Sequence, residues 1–287
     1  WTGIAGHIIG FDTLLMQSWR MREPLMWLCE QITGNRKTYG MNLVGGVRRD
    51  ISPEAKAETL KVLDNIEREW KSLLGAIPGD ATLMARLAGQ CVLSREQAVS
   101  LCAIGPAARG SGLDLDVRLD HPYAAYAELK SMRKIVHDGG DVLARTLVRL
   151  EETLVAIDLI REALDTLPDG PLQAEMTEDI PPGREGIGAI EAPRGEVMHW
   201  VLTGEGNRPT RWRVRAPTYA NLQMVPAIIT GDTLADVPIG IGSLDPCFSC
   251  TERLEVVDSN TGRLRVYSAD ELCRGETSAP QPDEPPQ

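Results

Sequence analysis

The feature that most constrains the fold is a long run of apolar residues at helical spacing in residues 141–167. Leucine and isoleucine recur there every three or four positions, which would give a helix one continuous apolar face. The positions are Leu143, Leu147, Leu150, Leu154, Ile157, Ile160 and Leu164. Pro168 and Gly170 then end the pattern. An apolar face of this length needs other helices to pack against, so the segment predicts a helix-on-helix core.

Two further segments predict the helices that could supply this packing. Residues 53–77 repeat apolar side chains at the same spacing, after Ser52 as a helix cap and Pro53 at the first helical position. Residues 11–32 suit another long helix, in which Pro24 would produce a kink. We therefore expect three long helices in the first part of the chain.

The remaining parts of the first half predict shorter or irregular structure. A short helix is expected near residues 94–103, followed by a loop that contains Gly105-Pro106, Arg109-Gly110 and Tyr123. Glycines interrupt residues 35–50, which predicts a structured loop. That loop is basic in an acidic protein and could face a partner subunit or solvent; its charged residues are Arg36, Lys37, Arg48 and Arg49.

The composition changes after residue 168, where proline and glycine become frequent. Val197 to Leu202 and Arg211 to Arg215 flank a glycine-containing turn at 204–207, so this region predicts a β-hairpin. Residues 276–287 contain four prolines and no large apolar residue, which predicts a disordered tail. The expected fold class is mainly α with small β elements, an α+β protein.

Charge and cysteine content limit the function classes. The formal net charge of −11 argues against nucleic-acid binding, which depends on clustered Lys and Arg. No segment reaches the roughly 18 to 20 apolar residues that span a bilayer, so membrane attachment is expected through other subunits. Six cysteines in 287 residues are too few for a disulfide scaffold. We therefore expect a reducing, cytoplasmic setting. Trp1 stands where a start Met would, so we expect the natural N-terminus to lie further upstream.

The strongest chemical motif is Cys247-x-x-Cys250. Such a pair serves as half of a zinc site, as a redox dithiol, or as half of a polynuclear metal site. The other cysteines, Cys29, Cys91, Cys102 and Cys273, are isolated. Asp245-Pro246 sharpens the motif, because proline fixes the backbone before the first thiol and an acid beside a bound metal can accept a hydrogen bond or relay a proton.

Asp245-Pro-Cys-x-x-Cys followed by Thr251-Glu-Arg resembles the C-terminal metal motif of [NiFe]-hydrogenase large subunits. Three upstream signatures occur in the order that this family shows: Glu191-Ala-Pro-Arg-Gly195, His199-Trp200 and Ala216-Pro-Thr-Tyr-Ala-Asn221. The blocks Lys37-Thr-Tyr-Gly and Gly45-Gly-Val-Arg-Arg-Asp look like the energy-converting, formate hydrogenlyase-type branch, which is related to the quinone-site subunit of respiratory complex I. This resemblance implies the helical bundle of a hydrogenase large subunit.

The resemblance also implies site residues. Cys247 would be a terminal nickel thiolate and Cys250 a thiolate bridging nickel and iron in a Ni-Fe(CN)2(CO) centre, and soft thiolates suit such metals. Arg194 would lie over the metals and donate to cyanide, while Asp245 would orient Arg194. Pro217 and Thr218 would bind the cofactor, with Thr218 donating to the other cyanide.

The family's other Cys-x-x-Cys pair does not occur in the sequence, so this chain holds half of the thiolate ligands and is expected to be an N-terminally truncated fragment. The resemblance implies an iron–sulfur small subunit with [4Fe-4S] clusters, complex I-like and membrane subunits as partners, and a peripheral position on the cytoplasmic side of a membrane. A maturation protease would cut at Arg253. Residues 1–253 would then form the catalytic domain, and residues 254–287 a removable extension.

The expected function is reversible H2 oxidation and proton reduction, coupled to an iron–sulfur electron-transfer chain. The alternative is a metal-free, complex I-like quinone oxidoreductase subunit, although such relatives lack the terminal Cys pair. A zinc-binding interaction module would need two further ligands near Cys247 and Cys250. His199 remains either a structural or a metal-proximal histidine, and His7 with Asp12 is a weaker candidate for the proton path.

Overall fold

The computed structural model describes residues 1–175, 179–251, 253–257, 261–262 and 264–268. Contacts divide the chain into two units, Trp1–Pro246 and Cys247–Gln287. Most of the regular structure is helical, and the strands form three small antiparallel sheets. The expected mainly α fold with small β elements is therefore confirmed. No helix in these described ranges is long and apolar enough to cross a bilayer.

The first unit contains eleven α-helices in its described residues. In chain order they are α1 (Thr2–Ile8), α2 (Asp12–Thr33), α3 (Pro53–Ala76), α4 (Ala81–Leu87), α5 (Arg95–Ser100), α6 (Gly105–Arg109), α7 (Val117–Asp120), α8 (Val142–Thr166), α9 (Pro217–Leu222), α10 (Val225–Ile229) and α11 (Val237–Ser243). The strands are β1 (Asn42–Leu43), β2 (Gly46–Val47), β3 (Glu185–Ala192), β4 (Gly195–Thr203) and β5 (Pro209–Arg215) in this unit, with β6 (Arg253–Val257) and β7 (Leu264–Ser268) in the second.

The three long helices that the sequence predicts are present as α2, α3 and α8. Helix α3 begins as expected, because the Ser52 hydroxyl accepts a hydrogen bond from the Ala55 amide and Pro53 occupies the first turn. Leu63 of α3 packs with Leu28 of α2 and with α8. The Trp70 indole N–H also donates to a backbone carbonyl of α8. These contacts make the three helices one bundle.

Helix α8 is more deeply buried than its apolar stripe predicts. Its first half contacts α4, α6 and α11, and Arg145 there is 0% exposed. Ile160, which the periodicity places on the inward face, is instead 41% exposed. The prediction that this helix buries one continuous face is therefore wrong. Neighbouring helices surround its first half, and part of its second half is exposed to solvent.

The predicted loop after residue 103 is also wrong in part. The expected short helix is present as α5, but the segment that follows it forms α6 and α7. Ala107 and Ala108 of α6 are buried, and the Asp116 carboxylate caps the start of α7. Helices of four or five residues are too short to show a periodic pattern and depend on packing for stability. Here α6 packs against α8.

The predicted hairpin is confirmed as β4 and β5, with His199 opposite Val214. The structure adds β3 on the other side of β4, in a stretch whose proline and glycine content had masked the strand. Strands β1 and β2 form a two-residue hairpin inside the loop expected at 35–50. The second unit contains the antiparallel pair β6 and β7. The tail predicted at 276–287 lies outside the described residues.

Candidate functional site

The site is built around the turn between β3 and β4. Ala192 pairs with Gly195, so Pro193 and Arg194 form a two-residue turn at the end of this hairpin. Such a turn projects the Arg194 side chain away from the sheet. Gly195 adopts φ 125°, a backbone conformation that favours glycine. The Pro-Arg-Gly segment is therefore shaped by local geometry.

Arg194 forms a paired contact with Asp245. Its Nε donates to the Asp245 carbonyl at 2.5 Å, and its Nη2 donates to the Asp245 carboxylate at 3.0 Å. Asp245 follows α11 and adopts φ 56°, in the left-handed region that aspartate tolerates better than most residues. Arg194 remains 33% exposed, and its Nη1 has no hydrogen-bond partner in the described part of the chain. One donor group of the guanidinium is thus left available.

Two arginines of α8, the buried Arg145 and the partly buried Arg149, lie near the segment that carries Asp245. The Arg145 Nε donates to the Ser243 hydroxyl at 2.8 Å, which ties α8 to the end of α11. Arg149 lies one turn further along α8, with its guanidinium 4.5 Å from the centre of the Trp1 ring. Burial lowers the pKa of Arg149 to about 10, and the negative charge of Asp245 opposes that shift. Sequence analysis missed both arginines, which interrupt an apolar stripe.

Helix α9 brings the cofactor-binding candidates to the same hairpin. Pro217 begins the helix, and Thr218 follows it in the first turn; both are buried. Asn221, in the last turn of α9, donates from its side-chain amide to the Arg194 carbonyl at 3.1 Å. The Pro-Thr segment and the Arg-containing turn, which are separated in sequence, are therefore joined by a direct hydrogen bond.

A buried ion cluster lies on the other side of the hairpin. Arg109 of α6 is fully enclosed and contacts three carboxylates, with Nη1 to Glu191 at 2.8 Å and Nε to Glu152 at 2.7 Å. Asp116 is the third carboxylate and also binds Arg118. This cluster ties β3 to α6, α7 and α8. In the sequence, the cluster is indicated only by charged residues that occur among small residues in a segment predicted to be a loop.

The electrostatics of this cluster follow from burial and pairing. Burial raises the pKa of Glu191, although Arg109 opposes the shift. Burial would also raise the pKa of Asp116, but hydrogen bonds from Arg118 and the charge of Arg109 outweigh that effect and hold the pKa below its ordinary value. The pKa of Arg109 is raised because its carboxylate partners outweigh the effect of burial.

Cys247 and Cys250 lie in the second unit, directly after the Asp245-Pro246 pair in sequence. A single 3-10 turn, in which the Cys250 amide donates to the Cys247 carbonyl, brings the two sulfur atoms to 2.8 Å. The two thiols can therefore serve one centre. In the residues that the structure describes, no group of three His, Cys, Asp or Glu side chains could hold a metal ion. The donor set fits half of a thiolate-rich centre, and the described residues do not supply the two further ligands that a zinc site needs.

The remaining candidates have local partners. His199 Nδ1 accepts a hydrogen bond from the Trp212 indole at 3.0 Å. This contact favours a structural role for the histidine. His7 and Asp12 contact each other at 2.5 Å and are both well exposed. In the basic loop, Arg36 binds Glu23, so this charge is already neutralised within the chain.

The fold is similar to that of one chain in a solved respiratory membrane complex. One chain of the membrane-bound sulfane sulfur reductase, an archaeal respiratory membrane complex, matches with a TM-score of 0.80 and 30% identity, over 86% of this chain and 68% of that chain. The family model described as respiratory-chain NADH dehydrogenase, 49 Kd subunit, matches residues 9–188 and 176–253. The chain belongs to this family.

Two curated relatives from Escherichia coli (strain K12) are similar over most of this chain. Formate hydrogenlyase subunit 5 is 40% identical over 95% of this chain and 48% of its own length. Hydrogenase-4 component G is 39% identical over 95% of this chain and 46% of its own length. The chain therefore spans about half the length of these two relatives.

Proposed function

We propose that this chain forms part of the catalytic large subunit of a membrane-associated [NiFe] hydrogenase, which interconverts H2 with protons and electrons. The observation that carries the proposal is the hydrogen bonding of Arg194 to Asp245, because Asp245 lies directly before Pro246 and the Cys247-x-x-Cys250 pair in the chain. The names of the two curated relatives, formate hydrogenlyase subunit 5 and hydrogenase-4 component G, support this direction. Family membership supports an oxidoreductase role within a complex.

Cys247 and Cys250 would supply two of the thiolates of a Ni-Fe(CN)2(CO) centre. Thiolates suit this site because they are soft ligands that accept metal ions of the nickel and iron type. Such a centre, when bound, supplies the Lewis acidity and redox capacity for heterolytic cleavage of H2. The protein's contribution is to orient donors and to accept the proton.

The family resemblance assigns Arg194 the role of a hydrogen-bond donor to a ligand of such a centre. Two of its nitrogens are held by Asp245, so the planar guanidinium has a fixed orientation, and Nη1 is left to donate to an anionic ligand such as cyanide. Thr218 would donate a second hydrogen bond from the first turn of α9, beside Pro217. The Asp245 carboxylate keeps Arg194 in place and adds a charged acceptor at the start of a proton path.

Electron transfer would require partners. We propose an iron–sulfur small subunit with [4Fe-4S] clusters, together with complex I-like and membrane subunits that hold the chain on the cytoplasmic side of the membrane. The solved relative belongs to a respiratory membrane complex, which supports partners of this kind. We also propose residues 1–253 as the catalytic domain and 254–287 as an extension that a maturation protease removes at Arg253.

A second candidate function is that of a metal-free quinone oxidoreductase subunit. The description of the matching family, which names the NADH dehydrogenase of the respiratory chain, favours it. The Cys pair opposes it, because a quinone site needs no thiolates. The two candidate functions thus differ in one measurable property, which is whether this subunit binds nickel.

The proposed function is tested with the full-length protein in its complex, by comparing H2 oxidation in the wild type and in Arg194→Lys. Lysine keeps the charge but lacks the planar fork, so H2 oxidation should fall roughly 10- to 100-fold while nickel content is retained. Arg133→Lys is the control, because Arg133 forms an exposed ion pair with Asp158 and should leave activity unchanged. A wild-type complex that reduces quinone and neither oxidises nor evolves H2 would favour the second candidate.

A further inference from the structure

We infer that Asn221 is a positioning residue for Arg194, which fixes the backbone of the turn while Asp245 fixes the guanidinium. The inference rests on the proposed function of Arg194. Asn221 is 2% exposed, lies in the last turn of α9, and is 27 residues away from Arg194 in sequence. Among the described residues, the hydrogen bonds of its side chain all reach segments outside its own helix.

The hydrogen bonds of Asn221 define the orientation of its amide. The Oδ1 atom accepts from the Ile104 amide at 3.2 Å, and Nδ2 donates to the Ile104 carbonyl at 3.3 Å and to the Arg194 carbonyl at 3.1 Å. A flipped amide would face its oxygen toward two carbonyl oxygens and its NH2 group toward an amide N–H. Only this orientation satisfies all three contacts, so Asn221 links the start of α6 to the Arg194 turn.

Two glycines bring these backbones close enough for one side chain to bridge them. Gly105 has φ 64°, and a Cβ added there would lie 2.5 Å from the Arg194 carbonyl oxygen. Gly195 has φ 125°, and a Cβ added there would lie 2.9 Å from the Gly105 nitrogen. Neither position accepts a side chain without displacing the other backbone. The Arg194 peptide is therefore held between α6 and the amide of Asn221.

Arg194 is consequently held at both ends. Asn221 binds its carbonyl group, and Asp245 binds its Nε and Nη2 atoms. The side chain between these anchors retains few rotamers that keep both contacts, so Nη1 points in one direction. The hydrogen bond from such a donor to a ligand depends on distance and angle, so it weakens when the donor is displaced. Asn221 thus acts on the site through Arg194.

The test is Asn221→Ala in the full-length complex, with hydrogen–deuterium exchange of the peptide spanning residues 193–197 as the first readout. Loss of the amide should raise exchange in this turn roughly 10-fold, as removal of one or two buried hydrogen bonds implies. The second readout is steady-state kinetics, in which kcat for H2 oxidation should fall roughly 10-fold or more while KM for H2 and the nickel content stay unchanged.

Thr59→Val is the matched control. Thr59 is also buried, and its hydroxyl donates to the Ala55 carbonyl within α3, away from the site. This variant should leave turn exchange and kcat at wild-type values, although it also loses one buried hydrogen bond.

Wild-type exchange in the turn of Asn221→Ala would overturn the inference. So would an unchanged kcat, or a fall in kcat that merely follows a loss of nickel. A wild-type complex without H2 turnover would contradict the proposed function instead, and exchange at residues 193–197 would still decide whether Asn221 holds the Arg194 turn.

Discussion

At the scale of single residues, the candidate site is a set of charged side chains held by partners that are distant in sequence. Arg194 and Asp245 could be singled out because they stand in distinctive Pro-Arg-Gly and Asp-Pro-Cys segments, and the structure places them in direct contact. Arg109 and Arg145 could not be found in this way. Each becomes meaningful only through burial against partners distant in sequence, such as Glu191 and Ser243.

The buried cluster around Arg109 gives a pH prediction. The pKa of Asp116 is lowered in the folded protein, so its ionised form stabilises the fold above its ordinary pKa of 3.8, and this contribution is lost as the pH falls through the lowered folded value. Asp116→Asn should therefore reduce the free energy of unfolding at pH 7 by about 3 kcal/mol, because the buried Arg109 and the partly buried Arg118 lose a charged partner. Below pH 4 the difference from the wild type should shrink.

Urea unfolding between pH 2.5 and pH 7, followed by tryptophan fluorescence, measures this effect. Glu191 is present in both proteins, and because burial raises its pKa, it changes the free energy of unfolding with pH in the direction opposite to Asp116. Asp138→Asn, at an exposed position, is the control and should change the free energy of unfolding by less than about 0.5 kcal/mol. A variant whose loss of stability is the same at every pH would contradict the assigned role of Asp116.

At the scale of secondary-structure elements, length decided what could be predicted. The long helices α2, α3 and α8 were predicted from periodicity because each repeats its apolar pattern over many turns. Helices α6 and α7 carry too few residues to show a period and are held by contacts with α8 and β3. Strand β3 was missed because its glycines resemble a loop, and its pairing with β4 is what defines it.

The close packing of α6 against the Arg194 turn predicts a contrast between two glycines. Gly105→Ala should destabilise the protein by at least about 2 kcal/mol, because alanine would need a left-handed conformation and would collide with the Arg194 carbonyl. Gly75→Ala should stabilise it by about 0.5 to 1 kcal/mol, because Gly75 lies within α3 and faces open space. Chemical denaturation of the two variants measures both changes. Equal effects of the same sign would contradict the packing described here.

At the scale of the whole molecule, the fold class and the family could both be predicted, since the helical pattern and the ordered motifs extend along most of the chain. The match to the 49 Kd subunit family over residues 9–188 and 176–253 confirms that assignment. The ligand set cannot be read from this chain alone. Cys247 and Cys250 provide two thiols, and whether they bind nickel and iron stays a prediction that only metal analysis can decide.

Metal content of the full-length protein is the most direct test of the account. We expect about one nickel per wild-type large subunit, because two thiolate pairs would complete the site. Cys247→Ser and Cys250→Ser should each abolish nickel binding, because a serine hydroxyl is a poor substitute for a thiolate on a soft metal. Cys102→Ser is the control, since Cys102 is exposed and isolated in sequence.

Nickel should be quantified by plasma mass spectrometry on complexes purified in parallel. Nickel should be stoichiometric in the wild type and in Cys102→Ser, and should not exceed background in the Cys247 and Cys250 variants. A wild-type complex that is fully assembled and contains no nickel, or a Cys247→Ser complex that retains it, would contradict the central claim.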